Sequence, residues 1–546
     1  MSMVLATTWV RRGVAAQFPT KYDIDEAELS RISRLAKLQL EDAQEDLEAA
    51  QDADGKEEES DEDGEDITER ATTSGRAAKA AKDADDLAEY NLDDYDNDPV
   101  DDEGERFSMF GNVRSLAYHA PNEEDPYLVM PDGANSDDEE REELQILATD
   151  NLLLAAKVED EVAHLEVFVY EDDADNLYVH HDIMLPAVPL CMEWVDVPVG
   201  KDAGKRPNGN FVAVGTMAPE IEVWDLDVVD NMYPNAILGQ APDATEDTNG
   251  EKADKKKKKS KKKPKANDEY HVDSVLALAA NRLHRNLLAS ASADKTVKLW
   301  DLNTNKCAKS YSMHTDKVCS LDWHPTESTV LLSGSYDHTV VATDMRAPDA
   351  KAPRWTVEAD VEKVRWNSHD PNFFYVTTEA GTVHYYDARI VPASEGFSKP
   401  VWTLQAHDGA VSAFDINSMV PEFIVTGSDD KKVKLWNVSN NKPNMVVSRN
   451  LEVGRVFAAQ FGPDTEVAFR LSVAGSKGVL QVWDTSTNAA VRNAFAGKVS
   501  LPQQGEIKKE RLIKVNDDSI EEDDDDGGAE IAQGDGGEGW ESMEED

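Results

Sequence analysis

Short apolar runs separated by polar turns recur along most of the chain from about residue 151 onward. The clearest instance is NLLASASADKTVKLWD at residues 286–301, where an apolar run at 287–289 is followed by a polar turn at 293–295. The alternating positions Val297 and Leu299 then lead to Trp300 and Asp301. Two such runs joined by a short polar turn predict a β-hairpin.

Polar residues recur around this hairpin at fixed distances. His271 precedes Trp300 by 29 residues, Ser290 precedes it by ten and Asp294 by six. The same offsets recur twice, in the sets His314, Ser333, Asp337, Thr343 and His407, Thr426, Asp430, Trp436. A repeat of this kind indicates that one supersecondary unit is used several times.

Hairpins of this kind close at seven positions along the chain. The closing residues are at 170, 224, 300, 343, 386, 436 and 483, with separations of 54, 76, 43, 43, 50 and 47 residues. A period in the low forties that ends in Trp-Asp resembles the WD40 repeat, in which each blade of a propeller has four strands. The expected fold is therefore all-β, a single seven-bladed WD40 β-propeller.

The recurring His, Ser and Asp could be mistaken for a hydrolase triad. A catalytic site needs one copy of the group, placed beside an oxyanion hole and a pocket, whereas this group occurs three times. In WD40-like blades these residues resemble an internal hydrogen-bonding tetrad, in which Asp294 orients His271, His271 bonds Ser290, and Ser290 reaches the Trp300 indole. We therefore interpret all three sets as scaffold. Blades 5 and 7 lack Asp and Ser at these offsets and are expected to rely more on packing.

The first blade is expected to begin at the N-terminus. Val4 and Trp9 have the five-residue spacing that recurs at positions 318 and 323 and at 361 and 366. Residues 1–12 are therefore predicted to form its inner strand and 107–185 its remainder together with a packed segment. The alternative inner strand is Val113–Tyr118. Blade 2 is assigned to 186–240 and blades 3–7 to 269–499, and the ring is expected to close on a final strand near 490–495.

Two long segments interrupt or follow the propeller. Residues 23–50 place apolar side chains along one helical face, which predicts an amphipathic helix that packs on the propeller or binds a partner. Residues 51–106 and the C-terminal tail 500–546 are dense in Asp and Glu and low in apolar content. Such segments cannot offset the entropy of folding, so an acidic disordered insertion and tail are expected.

Charge and cysteine content exclude several classes of protein. The formal net charge is −53, yet residues 270–515 hold 28 Lys and Arg against 27 Asp and Glu, so the acidity lies mainly in insertions and tails. Cys191, Cys307 and Cys319 have no metal-ligand spacing, and their sparse, odd number fits a reducing compartment. No apolar run reaches the length of a membrane span. We expect an intracellular protein with no metal, no cofactor and no membrane contact.

A lysine run lies in the link between blades 2 and 3, assigned to 241–268. Ten of the fourteen residues at 252–265 are lysine, among them Lys255, Lys256, Lys257, Lys258, Lys259, Lys261, Lys262 and Lys263. We interpret the run as a nuclear localisation signal or an RNA phosphate-binding loop, with a solubilising loop as the alternative. Acidic sequence around Ser60, Ser136 and Ser519 predicts phosphorylation by an acidophilic kinase.

Longer stretches resemble one family of WD40 proteins. TTWVRRGVA at the start, NLYVHHDIMLPAVPLCMEW, EIEVWDLDVVD before the lysine run, and LASASADKTV are similar to the periodic tryptophan protein 1 family. The resemblance implies a non-enzymatic nuclear and nucleolar scaffold in early assembly of the large (60S) ribosomal subunit and in precursor rRNA processing. The implied partners are pre-60S assembly factors and precursor rRNA, with the protein monomeric inside a large complex. The alternative is a histone-binding or chromatin-binding propeller that regulates ribosomal DNA transcription.

Enzymatic activity is the least favoured class. The sequence has no Walker loop, no metal-ligand spacing and no unrepeated cluster of titratable groups that would mark a nucleophile. The three classes differ in what they should bind: precursor particles for a scaffold, nucleosomal peptides for a histone reader, and a small substrate for an enzyme.

Overall fold

The computed structural model describes residues 2–22, 141, 144–160, 162–200, 206, 208–240, 267–347, 350–392, 398–495, 498 and 511–515. The strands in its N-terminal half are β1 (Ser2–Val10), β2 (Thr20–Lys21), β3 (Asn151–Glu159), β4 (Val162–Glu171), β5 (Asn176–Leu185), β6 (Pro189–Val195), β7 (Phe211–Thr216), β8 (Ile221–Asp225), β9 (Val228–Val229), β10 (Ala236–Leu238), β11 (Val275–Ala280), β12 (Leu287–Ser292), β13 (Val297–Asp301) and β14 (Lys306–Tyr311).

The C-terminal half adds sixteen strands and one α-helix. The strands are β15 (Val318–Trp323), β16 (Val330–Ser335), β17 (Thr339–Asp344), β18 (Arg354–Thr356), β19 (Val361–Trp366), β20 (Phe373–Thr378), β21 (Thr382–Asp387), β22 (Trp402–Gln405), β23 (Ala413–Ile416), β24 (Phe423–Gly427), β25 (Val433–Ser439), β26 (Lys442–Arg449), β27 (Val456–Phe461), β28 (Arg470–Gly475), β29 (Leu480–Asp484) and β30 (Leu512–Val515). The helix is α1 (Ala489–Phe495), which follows a 3-10 turn at Thr485–Thr487.

Twenty-eight of these strands form seven antiparallel four-stranded blades. From the inner to the outer strand they are β1-β3-β4-β5, β6-β7-β8-β10, β11 to β14, β15 to β18, β19 to β22, β23 to β26, and β27 to β30. The predicted seven-bladed all-β propeller is confirmed. A two-stranded parallel pair, β2 with β9, was not predicted and ties residues 20–21 to blade 2.

The core lies between the faces of neighbouring blades. All six residues of β7 are buried, as are five of the six in β12, because the second strand of a blade has a packed sheet on each face. The outer strand β14 exposes or half-exposes five of its six residues, and β26 buries none. Each sheet therefore buries its apolar residues against two neighbours, which leaves the rims and the two faces of the ring as the accessible surfaces.

Blade 1 combines residues that are far apart in the chain. β1 is its innermost strand and pairs antiparallel with β3, with Trp9 opposite Leu153 and Ser2 opposite Glu159. Residues 23–140, which separate the two strands, lie outside the described part of the chain, together with the predicted helix at 23–50, the acidic insertion at 51–106 and the alternative inner strand at Val113–Tyr118.

The predicted final strand near 490–495 was wrong. These residues lie in α1, where Val491 and Phe495, four residues apart, are buried on one helical face. Asp484 caps the preceding 3-10 turn by accepting a hydrogen bond from the Ser486 backbone, so the chain leaves the sheet at that point. The outer strand of blade 7 is β30 instead, which pairs with β29. Blade 7 thus extends beyond residue 499, and the acidic tail begins after Val515 and not at residue 500.

Buried tetrads and candidate interaction surfaces

Blade 3 contains a buried chain of hydrogen bonds. His271 lies in the link before the inner strand, Ser290 in β12, Asp294 in the turn after β12, and Trp300 in β13. The Nδ1 atom of His271 is 2.9 Å from Asp294 Oδ2, and its Nε2 atom is 2.6 Å from Ser290 Oγ. The Trp300 indole donates to Ser290 Oγ at 2.8 Å. These hydrogen bonds therefore join two strands of the blade, β12 and β13, to the turn between them and to the preceding link.

The pKa shifts within this set of hydrogen bonds indicate a neutral His271 beside an ionised Asp294. Burial lowers the pKa of His271, although the Asp294 hydrogen bond acts in the opposite direction. Burial alone would raise the pKa of Asp294, but hydrogen bonds from His271 and Thr296 outweigh it and lower this pKa to about 2. A carboxylate can only accept, so His271 donates from Nδ1 and accepts from the Ser290 hydroxyl at Nε2.

The other two sets have similar geometry, with one exception. In blade 6, His407 Nδ1 is 2.9 Å from Asp430 Oδ2, and Trp436 donates to Thr426 Oγ1 at 2.9 Å. In blade 4, His314 Nδ1 is 3.1 Å from Asp337 Oδ2, and His314 Nε2 is 2.8 Å from Ser333 Oγ. Thr343 takes no part there, because its hydroxyl donates to the sulfur of Met313 at 2.6 Å.

The tetrad hydroxyls lie inside the blades, away from solvent. His271, Ser290, Ser333 and Thr426 are at most 1% exposed, so no reactant can approach the hydroxyls. A nucleophile needs an open site about 3 Å from both its oxygen and a group of oxyanion donors. Each hydroxyl is already held between its histidine and another partner. We therefore propose a structural role for these residues.

Blade 5 has a different series of hydrogen bonds between polar side chains, which the sequence did not predict. Thr378 Oγ1 is 2.6 Å from Thr382 Oγ1, which is 3.0 Å from His384 Nε2. The Nδ1 atom of His384 is 3.0 Å from Thr403 Oγ1 in the outer strand. The histidine here lies in the third strand and not in the link before the blade, so no search at the 29-residue offset finds it.

The inner strands place a second set of charged residues around the central channel. A narrow cavity of about 100 Å³ is lined by groups from several blades, including Thr7, Cys191, Glu193, Lys363 and Arg365. Burial raises the pKa of the Cys191 thiol to about 12, so this cysteine is unreactive near neutral pH.

One mouth of the channel has a mixed-charge lining. A cavity of about 380 Å³ is lined there by residues that include Glu193, Asp322, Arg365 and Asp415. Burial raises the pKa of Asp322 to about 6, even though Arg365 Nη1 lies 3.4 Å from its Oδ1 atom. Glu193, Asp322 and Arg365 each directly precede an inner-strand tryptophan in the sequence. Their position on the channel side could have been predicted from this pattern, because neighbouring side chains of a strand point in opposite directions.

Carboxylates gather near the opposite end of β19. Burial raises the pKa of Glu362 to about 7, with Glu379, Asp429 and Asp360 adding to the rise and Lys363 opposing it. His338 Nε2 is 2.8 Å from Asp360 Oδ1 at the same end of the ring. This face is therefore suited to cationic side chains of a partner.

Other predicted site residues cannot be placed. The lysine run and Ser60, Ser136 and Ser519 lie outside the described residues. Across the described ranges, no three His, Cys, Asp or Glu side chains are arranged to hold a metal ion. The described helices include none with the length and apolar content needed to cross a membrane.

Comparison with known proteins identifies the repeats and the family. The WD domain, G-beta repeat model matches residues 263–301, 305–342 and 398–437. An uncharacterized WD repeat-containing protein of Schizosaccharomyces pombe is 48% identical over 96% of this chain and 96% of its own length. Periodic tryptophan protein 1 of Saccharomyces cerevisiae is 37% identical over 92% of this chain and 91% of its own length. The Drosophila melanogaster homolog is 31% identical over 74% of this chain and 80% of its own. The chain therefore belongs to the periodic tryptophan protein 1 family of WD-repeat proteins.

Proposed function

We propose that this protein is a non-enzymatic scaffold in early nucleolar assembly of the large (60S) ribosomal subunit and in precursor rRNA processing. The observation that carries the proposal is full-length similarity to the periodic tryptophan protein 1 family, which includes the segments that flank the propeller. The partners are assembly factors of the pre-60S particle and precursor rRNA.

The geometry of the propeller supports a role in binding. Its polar residues with catalytic potential are buried in repeated tetrads, while its rims and two faces remain accessible. A closed ring of blades presents rigid surfaces without long open sheet edges, which suits a platform for several partners at once.

The segments outside the propeller supply the electrostatic contacts in this proposal. The lysine run at 252–265 directs the protein to the nucleus and neutralises rRNA phosphates, since both roles need dense positive charge. The amphipathic segment at 23–50 binds a groove on a neighbouring assembly factor.

A second candidate, a histone-binding propeller that regulates ribosomal DNA transcription, is favoured by one observation. Asp360, Glu362, Glu379 and Asp429 gather at one end of β19, and such a carboxylate group is complementary to lysine-rich peptides. The first candidate is preferred because the lysine run is complementary to RNA phosphate as well.

Depletion and complementation separate the two candidates. In cells depleted of this protein, we expect precursors of the large-subunit rRNAs to accumulate while nascent ribosomal DNA transcription continues. The full chain should restore processing. Reduced nascent transcription with a normal ratio of precursor to mature rRNA would contradict the scaffold proposal and favour the chromatin role.

A further inference from the structure

The third strand of each blade contains the closing position, which is aromatic in six of the seven blades. These residues are Tyr170, Trp224, Trp300, Tyr386, Trp436 and Trp483, and each is at most 5% exposed. Blade 4 has Thr343 at this position. A threonine is far smaller than an indole or a phenol ring, so blade 4 alone does not fill the corresponding volume with an aromatic side chain of its own.

A groove lies at this point on the rim of blade 4. It has a volume of about 1240 Å³ and is lined by residues that include Met313, Thr343, Lys351, Arg354 and Val391. Met313 accepts a hydrogen bond from the Thr343 hydroxyl at 2.6 Å and partly covers the threonine. Methionine side chains are flexible and repack easily, so Met313 can move aside for a larger apolar group.

The outer strand of blade 4 leaves this groove accessible. β18 has three residues and pairs only with Thr339, Val340 and Val341 of β17. In blade 3, by contrast, β14 pairs along the whole of β13, from Val297 to Asp301. The Ala342 amide also donates to the Pro353 carbonyl at 3.2 Å, and the Asp344 carbonyl accepts from Ala347 at 3.0 Å. Within the described residues, the groove beside the second half of β17 therefore has room for an inserted side chain and not for an added strand.

Two cationic side chains line the groove, Lys351 and Arg354. Lys351 is exposed, and Arg354 Nη1 lies 3.7 Å from Asp337 Oδ2. The Arg354 guanidinium donates to Thr339 Oγ1 at 2.9 Å and lies at the edge of the same groove. An acidic segment with one large apolar side chain would complement this surface.

We propose that the C-terminal segment 536–546 of this chain docks in the blade 4 groove and inserts Trp540 beside Thr343. Residues 516–546 contain fifteen Asp and Glu, no Lys or Arg, and a single aromatic residue, Trp540. The segment is thus acidic where the groove is basic. It also supplies the type of side chain that closes four of the other blades.

The tail is long enough to reach blade 4. It starts after Val515 in the outer strand of blade 7, three blades away through blades 6 and 5. The 25 residues from Val515 to Trp540 span up to about 80 Å when extended. Four strands spaced about 4.8 Å apart give a ring roughly 45 Å across, so the path along the rim is about 60 Å.

Photo-cross-linking in the full chain tests this inference. The photoreactive amino acid p-benzoylphenylalanine replaces Trp540, and the same amino acid at Ile531 provides the matched control. After irradiation, mass spectrometry should find the cross-links from position 540 on residues 312–313 and 350–354, at least five times more often than those from position 531. Cross-links mainly to the lysine run at 252–265, to another protein or to no site would overturn the proposal.

Substitutions at Thr343 separate groove filling from misfolding. Thr343→Trp supplies the missing aromatic from within the blade, so we expect at least tenfold less cross-linking to the groove. Thr343→Val removes the hydroxyl but leaves the space, and should retain cross-linking within twofold. Circular dichroism establishes that both variants fold. Undiminished cross-linking in a folded Thr343→Trp variant would overturn the proposal, as would equal loss in a folded Thr343→Val variant.

A mixture of isotope-labelled and unlabelled chains should give cross-links within one chain, and mixed-isotope pairs would overturn docking within the same molecule.

Discussion

Arg470 and Asp172 lie 298 residues apart in sequence, yet Arg470 Nε donates to Asp172 Oδ1 at 2.7 Å. This contact joins blade 7 to blade 1, where the two ends of the propeller meet. Arg470 Nη1 is also 2.6 Å from Asp484 Oδ1, and Arg511 donates to the Asp172 carbonyl at 2.8 Å. Each of the two blades is built from its own four strands. None of the described strands is shared between the two ends, so in this part of the chain the ring closes through side chains and packing.

Loss of Arg470 should destabilise the ring. The Arg470 side chain is 9% exposed, and its removal leaves two carboxylates partly buried without their main cation. Arg470→Met is expected to lower the free energy of unfolding by about 3 kcal/mol, measured by urea denaturation.

The matched control for this change is Arg346→Met. Arg346 also lies 2.7 Å from an aspartate, Asp344, but its side chain is 73% exposed and the pair lies within one blade. Its loss should leave the free energy of unfolding almost unchanged, because water and salt screen an exposed ion pair. Equal effects of the two substitutions would show that the Arg470 contact between blades 7 and 1 contributes no more to stability than a surface ion pair.

The tetrads predict a local stability effect. Ser290 is fully buried, and Ser290→Ala removes the group that bonds both His271 and Trp300. Two buried polar atoms lose a partner, so a loss of about 2 kcal/mol is expected in thermal or urea unfolding. Thr304→Ala, in an exposed turn of the same blade, should change stability by less than about 0.5 kcal/mol. If the two variants unfold alike, the hydrogen-bond chain has no structural role.

The outer strand of blade 7 predicts a sharp boundary for truncation. A chain that ends at residue 515 keeps β30, loses only the tail proposed above to dock on blade 4, and serves as the reference for the shorter chain. A chain that ends at residue 510 loses β30 and the Arg511 contacts with blade 1, and should be less stable by about 2–4 kcal/mol. Calorimetry of both truncated chains measures the difference. Identical melting curves would contradict the assignment of β30 to the blade.

His181 predicts a pH dependence of stability. Burial, with a contribution from His180, lowers the pKa of His181 to about 3, whereas an unfolded histidine titrates near about 6.5. The unfolded chain therefore binds a proton that the folded chain does not, and stability falls as the pH drops below about 6.5. Between pH 7 and pH 5 this group should cost about 1–2 kcal/mol.

Replacement by phenylalanine isolates this effect, since other groups titrate in the same range. The loss of stability between pH 7 and pH 5 should be smaller in His181→Phe than in the parent chain by about 1–2 kcal/mol. The exposed His284, changed to phenylalanine in the same way, provides the control. An unchanged pH dependence in His181→Phe would contradict the assignment.

Local spacing explains why the blades could be predicted from sequence. The His271, Ser290 and Trp300 offsets follow from one hairpin and its preceding link, so the contacts recur at fixed distances in the chain. The seam between Arg470 and Asp172 has no such period, because it depends on the point at which the ring closes. The short apolar run at 490–495 was compatible with a strand or a helix, and the burial of Val491 and Phe495 in one helical turn decided for the helix.

The same distinction applies to the candidate sites. Thr343 could be identified in the sequence as the exception among the closing residues. The groove beside it could not, because it depends on the length of β18 and on the path of residues 350–354. The carboxylates around Glu362 come from separate segments of blades 5 and 6, and the packing of these two blades brings them together.

Sedimentation of nuclear extract tests the scaffold function most directly. The tagged full chain is run on a sucrose gradient, with mass spectrometry and probes for precursor rRNA in each fraction. A matched chain in which a Gly-Ser segment replaces 252–265 is given a separate nuclear localisation signal. We expect the full chain to migrate with large-subunit precursors and to leave them after RNase treatment, and the matched chain to bind more weakly. Migration with chromatin and histones, without precursor rRNA, would contradict the proposed function.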